Sequence, residues 1–358
     1  MHVLRSVLLL FACAIPASLS AGERLVYAVT SSTGSASATE VFEVAPGDVH
    51  PTQVFSDATL PVALGFMPQG AYGAPFQTAI AGKRLFSPGK ERSSSDSRRA
   101  TGIYEFALDS GKARKILDLV APERVDLLAV DSTAATLAYL SLSANGLTLF
   151  VHDVATGKLL YQIDMTKIAG GCNVRNAGWL PDNRTIFFTL DEGADGFMSE
   201  SDYKHVGSWL MNEDGTQLRK LPDSLSKMKP QGNGYRVLDD PTMLGALHEQ
   251  YLFDSHVYQS SGANGSRGFL LLGNPKTGSN TSIAIDETPD AEFILSASGN
   301  YIAFVQREDQ KFVGGRPVAP IQHVRIRPLP SGDAREVFTF QGDAQHRNAL
   351  TLLGWSSD

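Results

Sequence analysis

Cysteine is almost absent from this chain. Cys13 and Cys172 are the only two in 358 residues. With Cys13 inside an N-terminal leader, Cys172 alone closes no internal disulfide and builds no thiolate metal cluster. Beside Gly170-Gly171 it reads as a small buried hydrophobe. Beyond the leader, no stretch approaches the ~20 apolar residues that a membrane helix needs. An excess of base is also missing. A net charge of −7 argues against a nucleic-acid partner, which requires a basic face. Catalytic signatures are lacking as well. The closest fragment to a Gly-x-Ser-x-Gly elbow, Asn264-Gly-Ser-Arg-Gly268, lacks the first glycine. No phosphate-cradling loop occurs, and His248-Glu249 has no second histidine at helical spacing. His248 with Asp254-Ser255-His256 contains triad residue types, but neighbours on a strand point to opposite faces. No cofactor is expected from any of these segments.

What is present begins with residues 1–20, which read as a signal peptide. Arg5 supplies the positive end, 7–15 form a short apolar core, and small residues follow. This predicts a periplasmic or secreted protein, and the lack of disulfides suits a bacterial periplasm. Leu10-Phe-Ala-Cys13 loosely matches a lipobox, so a lipid anchor at Cys13 stays open as an alternative. Asn183, Asn264 and Asn280 begin glycosylation-type triplets, which matter only on a eukaryotic secretory route.

Residues 24–358 read as one all-β domain built from a repeat. Six polar turns carry glycine between strand-like runs: Val44-Ala-Pro-Gly47, Leu108-Asp-Ser-Gly111, Val154-Ala-Thr-Gly157, Asn212-Glu-Asp-Gly215, Pro275-Lys-Thr-Gly278 and Pro330-Ser-Gly332. Each glycine is expected at positive φ, as such turns require. A spacing of roughly 45–65 residues is that of a propeller blade. Four strands per blade, A to D from the axis outwards, follow from the period-2 runs between the turns. In blade two a single strand is expected over 77–86, and blade five is drawn loosely over 235–285. The amino end, 24–55, supplies B, C and D strands without an A strand. Leu350 to Asp358 supplies an A strand without a B strand. Joined, they complete a sixth blade and leave no open sheet edge.

Gly178-Trp-Leu-Pro-Asp-Asn183, Leu295-Ser-Ala-Ser-Gly-Asn300 and Gly354-Trp-Ser-Ser-Asp358 resemble degenerate Trp-Ser-Pro-Asp-Gly repeats. That pattern is similar to TolB-like and WD-repeat-like propellers, and to the propellers preceding prolyl-oligopeptidase-type hydrolases. The resemblance implies a six-bladed all-β propeller. None of its matched positions is catalytic in those families.

The long insertions fall between strands B and C, at 88–101, 191–206, 256–267 and 307–321. They are expected on one face of the disc, around the channel mouth. Their polar residues, Arg92, Arg98, Arg99, Asp191, Asp195, Asp202, His205, His256, Arg267 and Arg316, form the candidate binding face. Asp191-Glu-Gly-Ala-Asp195 with Glu200 and Asp202 partly matches a calcium loop, although Gly193 stands where a ligand belongs. Three readings of function remain open. The first is a non-catalytic exported propeller that binds a protein or peptide partner. The second is the propeller portion of a prolyl-oligopeptidase-like serine hydrolase whose catalytic domain lies outside this sequence. The third is a propeller enzyme acting on sugars or lactones.

Overall fold

A computed structural model describes residues 22–33, 36–65, 77–93, 100–119, 125–143, 146–191, 204–226, 235–237, 242–259, 266–284, 293–308, 312–313, 316–317, 321–342 and 349–358. Blade one opens with β1 (Arg24–Thr33), β2 (Ala36–Val44) and β3 (Thr52–Ser56). Blade two holds β4 (Val62–Leu64), β5 (Ala79–Ala81), β6 (Arg84–Glu91), β7 (Gly102–Ala107) and β8 (Ala113–Asp118). Blade three runs through β9 (Leu127–Val130), β10 (Thr136–Ser143), β11 (Gly146–Asp153) and β12 (Leu159–Asp164). Blade four runs through β13 (Asn173–Trp179), β14 (Thr185–Asp191), β15 (Gly207–Asn212) and β16 (Arg219–Lys220). Blade five has β17 (Tyr235–Val237), β18 (Thr242–Leu247), β19 (Gln250–Gln259), β20 (Ser266–Asn274) and β21 (Ser279–Ala284). Blade six has β22 (Ile294–Leu295), β23 (Tyr301–Arg307), β26 (Ile321–Pro328) and β27 (Arg335–Gln341). Between β23 and β26 lies a small pair, β24 (Phe312–Val313) and β25 (Arg316–Pro317). The chain then returns to blade one through β28 (Ala349–Ser356).

All six large sheets are antiparallel meanders. Their innermost strands touch in the cyclic order β28, β5, β9, β13, β18, β22 and back to β28. The ring therefore closes as expected, with β28 pairing β1 from Arg24↔Ser356 to Thr30↔Ala349. Side chains reinforce this seam. Glu23 accepts from Ser298 N at 2.8 Å and from Ser298 Oγ at 2.6 Å, tying the amino end to blade six. Ser356 Oγ donates to Glu43 at 2.6 Å, and Lys83 of blade two lies 3.3 Å from Asp358.

Central strands are apolar on both faces because each blade is sandwiched between two others. Thus Ile186 to Leu190 of β14 are all buried. The core is a set of layers between blades, and Tyr27 sits in the layer joining blades one and six. Its ring stacks on Phe42 at 5.4 Å and on Phe338 at 5.1 Å. Its hydroxyl is buried without a hydrogen-bond partner among the described residues, and burial pushes the phenol well above its ordinary value. A neutral phenol is thus favoured in the folded state. The unfolded chain releases its proton first, so stability falls as pH rises past about 10. Tyr27→Phe removes an unsatisfied buried group and should raise stability by about 1 kcal/mol near neutral pH. It should also flatten the alkaline decline. Urea unfolding at neutral pH and at pH about 10.5 measures both effects.

Two details differ from expectation. Gly111, Gly157, Gly215, Gly278 and Gly332 do take positive φ, but Gly47 does not. Residues 77–86 are a tight hairpin, β5–β6, rather than one strand. In blade two the innermost position is split, since β4 and β5 both pair with β6. Blade five is split in the same way, with β17 and β18 on β19. Two short segments produce no period-2 run long enough to read as a strand.

Candidate functional site: the central channel and its mouth

The six innermost strands converge on an axial cavity of about 240 Å³. Strands meeting near an axis need small side chains. Here Ala79, Ala129, Ala177, Gly178, Ala246 and Ala297 line the cavity. At Gly178 a Cβ would come within 2.6 Å of the Phe187 ring, so close packing fixes that residue as glycine. Hydrogen-bonding side chains on the wall include Thr78, Asn176 and Ser296. Thr78 and Asn176 cross-link blades, while Ser296 Oγ accepts from Tyr301 N at 3.1 Å within blade six. Asn176 Nδ2 donates to Met243 O at 2.7 Å, and Met243 N donates to Thr189 Oγ1 at 3.0 Å. These bonds satisfy the backbone where β18 bulges between Met243 and Gly245. Thr78 Oγ1 reaches Leu353 O at 3.5 Å. Trp179 and Trp355 hold equivalent places, opposite Ile186 and Leu25 respectively. Trp355 Nε1 donates to Ile294 O at 3.1 Å, whereas the buried Trp179 Nε1 has no partner among the described residues. No described carboxylate or histidine lines the cavity. Among the described residues, no group of three His, Cys, Asp or Glu is placed to hold a metal.

Around the mouth, the candidate residues fall into three groups. Arg92 is folded back into the protein. Its Nη2 donates to Asp57 O at 2.7 Å and lies 3.3 Å from Asp57 Oδ1, and its Nε donates to Leu60 O at 3.0 Å. Asp57 was not marked by the sequence. It is buried, and it accepts from Thr39 N at 2.8 Å and Leu64 N at 3.0 Å, clamping blades one and two. Burial raises its pKa, and these bonds together with Arg92 oppose that rise. Asp191, at the end of β14, pairs with Arg175 at 3.2 Å. His205 packs over Gly170, and its carbonyl accepts from Trp209 Nε1 at 2.8 Å.

The second group corrects the insertion boundaries. β6 extends to Glu91, so the blade-two insertion begins at 92 rather than 88. His256 and Arg267 do not lie in a loop, because both belong to the β19–β20 ladder, where His256 pairs with Gly268 and Arg267 with Val257. Strand pairing therefore shortens the blade-five insertion to 260–265. Arg316 sits in β25, paired with Val313 of β24. The third group, Arg98, Arg99, Asp195 and Asp202, lies outside the described residues. So do Glu200, Cys13 and residues 1–20, which the sequence reading takes as a leader. Two further features at this end were not foreseen. Arg175 is the extra residue where β13 bulges. His323, at the base of the blade-six insertion, contacts Glu336 Oε2 at 2.8 Å and Glu308 Oε1 at 3.3 Å. A bond from Thr339, aided by His323, holds Glu336 below its usual range. At Asn280 the side-chain amide donates to the carbonyls of Ser224 and Leu225.

The closed ring of six blades around this cavity makes the chain a six-bladed β-propeller. Its fold is similar to the nidogen/laminin complex structure, with a TM-score of 0.50 and 14% identity over 93% of this chain and 100% of that one. It is also similar to TolB from Acinetobacter baumannii, with TM-score 0.48 and 14% identity over 93% of this chain and 67% of that one. A putative TolB from Agrobacterium tumefaciens gives 0.48 and 13%, over 92% and 98%. At these identities the likeness is one of fold. No protein-family model matches the chain, and no curated protein matches it. No described helix is long and apolar enough to cross a membrane.

Proposed function

We propose that this propeller is exported, is not an enzyme, and binds a protein or peptide at the end of the disc where the B–C connections emerge. The observation that carries this reading is the asymmetry of the two ends. Between β14 and β15 the connection is 192–206, and between β23 and β26 it is 308–320. Among the described residues, the opposite end holds short turns such as 82–83 and 154–158. Long loops on a rigid scaffold are where recognition concentrates. An apolar channel with a few neutral hydrogen-bonding groups beneath them suits a peptide or side chain better than a charged reaction centre. The leader-like pattern of residues 1–20 supports export.

Site-specific photo-cross-linking tests the assignment. A probe at exposed Lys204, beside the blade-four connection, should capture a partner in a periplasmic extract. A probe at exposed Thr156, on the turn end, should not. Equal capture at both positions, or capture at Thr156 alone, overturns the reading.

A further inference from the structure

The axial cavity does not sit midway through the disc. Each innermost strand runs from the B–C end towards the A–B turn, as β13 does from Asn173 to the turn at 180–184. The wall is built from the later parts of these strands, such as 176–179 of β13 and 244–246 of β18. Phe187 joins it from the start of β14, on the turn side. Pro181 and Ala297 belong to A–B turns, are exposed, and stand on its rim. The residues of β13 and β28 nearest the B–C end, 173–175 and 349–352, are not part of its wall. The cavity therefore lies towards the turn end and opens there, opposite the long connections.

We propose that this turn-end cavity binds one small, neutral, aromatic molecule that carries a hydroxyl or N–H donor. No described charged side chain stands on its wall, so a charged ligand would lose its hydration without gaining a partner. Trp179, Phe187 and Phe293 line it with aromatic rings. About 150 Å³ is enough for a benzene ring, so about 240 Å³ admits two fused rings. Asn176 calls for the donor. It is only 6% exposed, and its Nδ2 is spent on Met243 O. Its Oδ1 accepts no bond from a described residue and is not sealed inside the protein, so the open space it meets is the cavity that Asn176 lines. The other two hydroxyls on the wall are engaged: Ser296 Oγ with Tyr301 N and Ser298 Oγ, and Thr78 Oγ1 with Leu353 O. One open acceptor on an apolar wall suits a ligand with one donor better than water, which needs about two to four polar partners. The site stands at the other end of the disc from the partner face proposed above and does not depend on it.

Isothermal titration calorimetry of the full chain near neutral pH tests this with 2-naphthol, which is neutral and carries one hydroxyl donor. A single site with a Kd of about 10–100 µM is expected. Naphthalene lacks the donor and should bind about tenfold more weakly, and the anion 2-naphthoate should not bind measurably. Asn176→Leu should erase the preference for 2-naphthol over naphthalene. Ala297→Trp, at an exposed turn position, should weaken 2-naphthol about tenfold or more by filling the opening. Lys204→Ala, at the B–C end, should leave it unchanged. Thermal melts establish that each variant is folded. Should Asn176→Leu fail to fold, Ala297→Trp and the wild-type titrations still decide. No heat with 2-naphthol up to about 500 µM, equal affinity for naphthalene, or indifference to Ala297→Trp overturns the proposal.

Discussion

Gly157→Ala is expected to destabilise the protein by about 3 kcal/mol, whereas Gly47→Ala should fall within about 0.5 kcal/mol of wild type. Both glycines occupy the equivalent turn between the outer two strands, Gly47 in blade one and Gly157 in blade three, so local chemistry alone predicts equal effects. The structure separates them. Gly157 has φ +70 and a Cβ there would lie 2.3 Å from Ile116 O, whereas at Gly47 nothing stands within 4 Å and φ is not positive. A left-handed alanine costs about 1–2 kcal/mol. The remainder arises because Ile116 O is backbone in the outer strand of blade two and cannot swing aside. Thermal and urea unfolding of the two variants decide the matter. A loss on the order of 5–10 °C is expected for Gly157→Ala and almost none for Gly47→Ala. Equal shifts would mean that turn conformation alone selects the glycine.

The same contact recurs around the ring. A Cβ at Gly111 would meet Phe55 of blade one at 3.0 Å, and at Gly215 it would meet Ile163 of blade three at 3.3 Å. The turn of each of these blades therefore presses on the outer strand of the blade before it. That explains how much was legible in the sequence. A repeated glycine announces a turn, and the turn spacing gives six blades, because both are local. Its contact with the preceding blade joins residues some 40 positions apart, such as Gly157 and Ile116, and leaves no local mark. Blades three, four and six were readable because β10, β14 and β23 carry the compact apolar runs 137–140, 186–188 and 301–305. In blades two and five the innermost strand is shared by two short segments, and register there is set by β6 and β19 rather than by pattern. Which B–C connections are long was legible from length, although the bounds in blades two and five were drawn too wide. The engagement of Arg92 with Asp57 was not, since a carboxylate 35 residues away on another blade determines it.

Deleting residues 349–358 should abolish cooperative folding, a larger effect than any single substitution here. Without β28, blade one loses its innermost strand and the inner ring opens between β22 and β5. Leu350, Leu352, Leu353 and Trp355 are each buried. At roughly 1.5–3 kcal/mol for each such side chain, their combined burial rivals the whole ~5–15 kcal/mol by which domains are stable. The loss reaches both neighbouring blades. Trp355 stacks on Tyr301 of blade six at 5.8 Å, and Leu353 packs in the layer shared with blade two. Trp355→Ala alone should cost about 3–5 kcal/mol yet leave a closed ring. The deletion should instead leave a species with strand content, a broad melt and exposed apolar surface that binds a hydrophobic dye. A synthetic peptide of residues 349–358 supplied in trans should restore the sharp transition, because β1 keeps a free edge in register for it. A deletion variant that melts like wild type would show that blade packing, and not strand closure, holds the ring. Peptide rescue in the face of a failed fold would assign the closure to β28 itself, independently of the covalent link through 342–348.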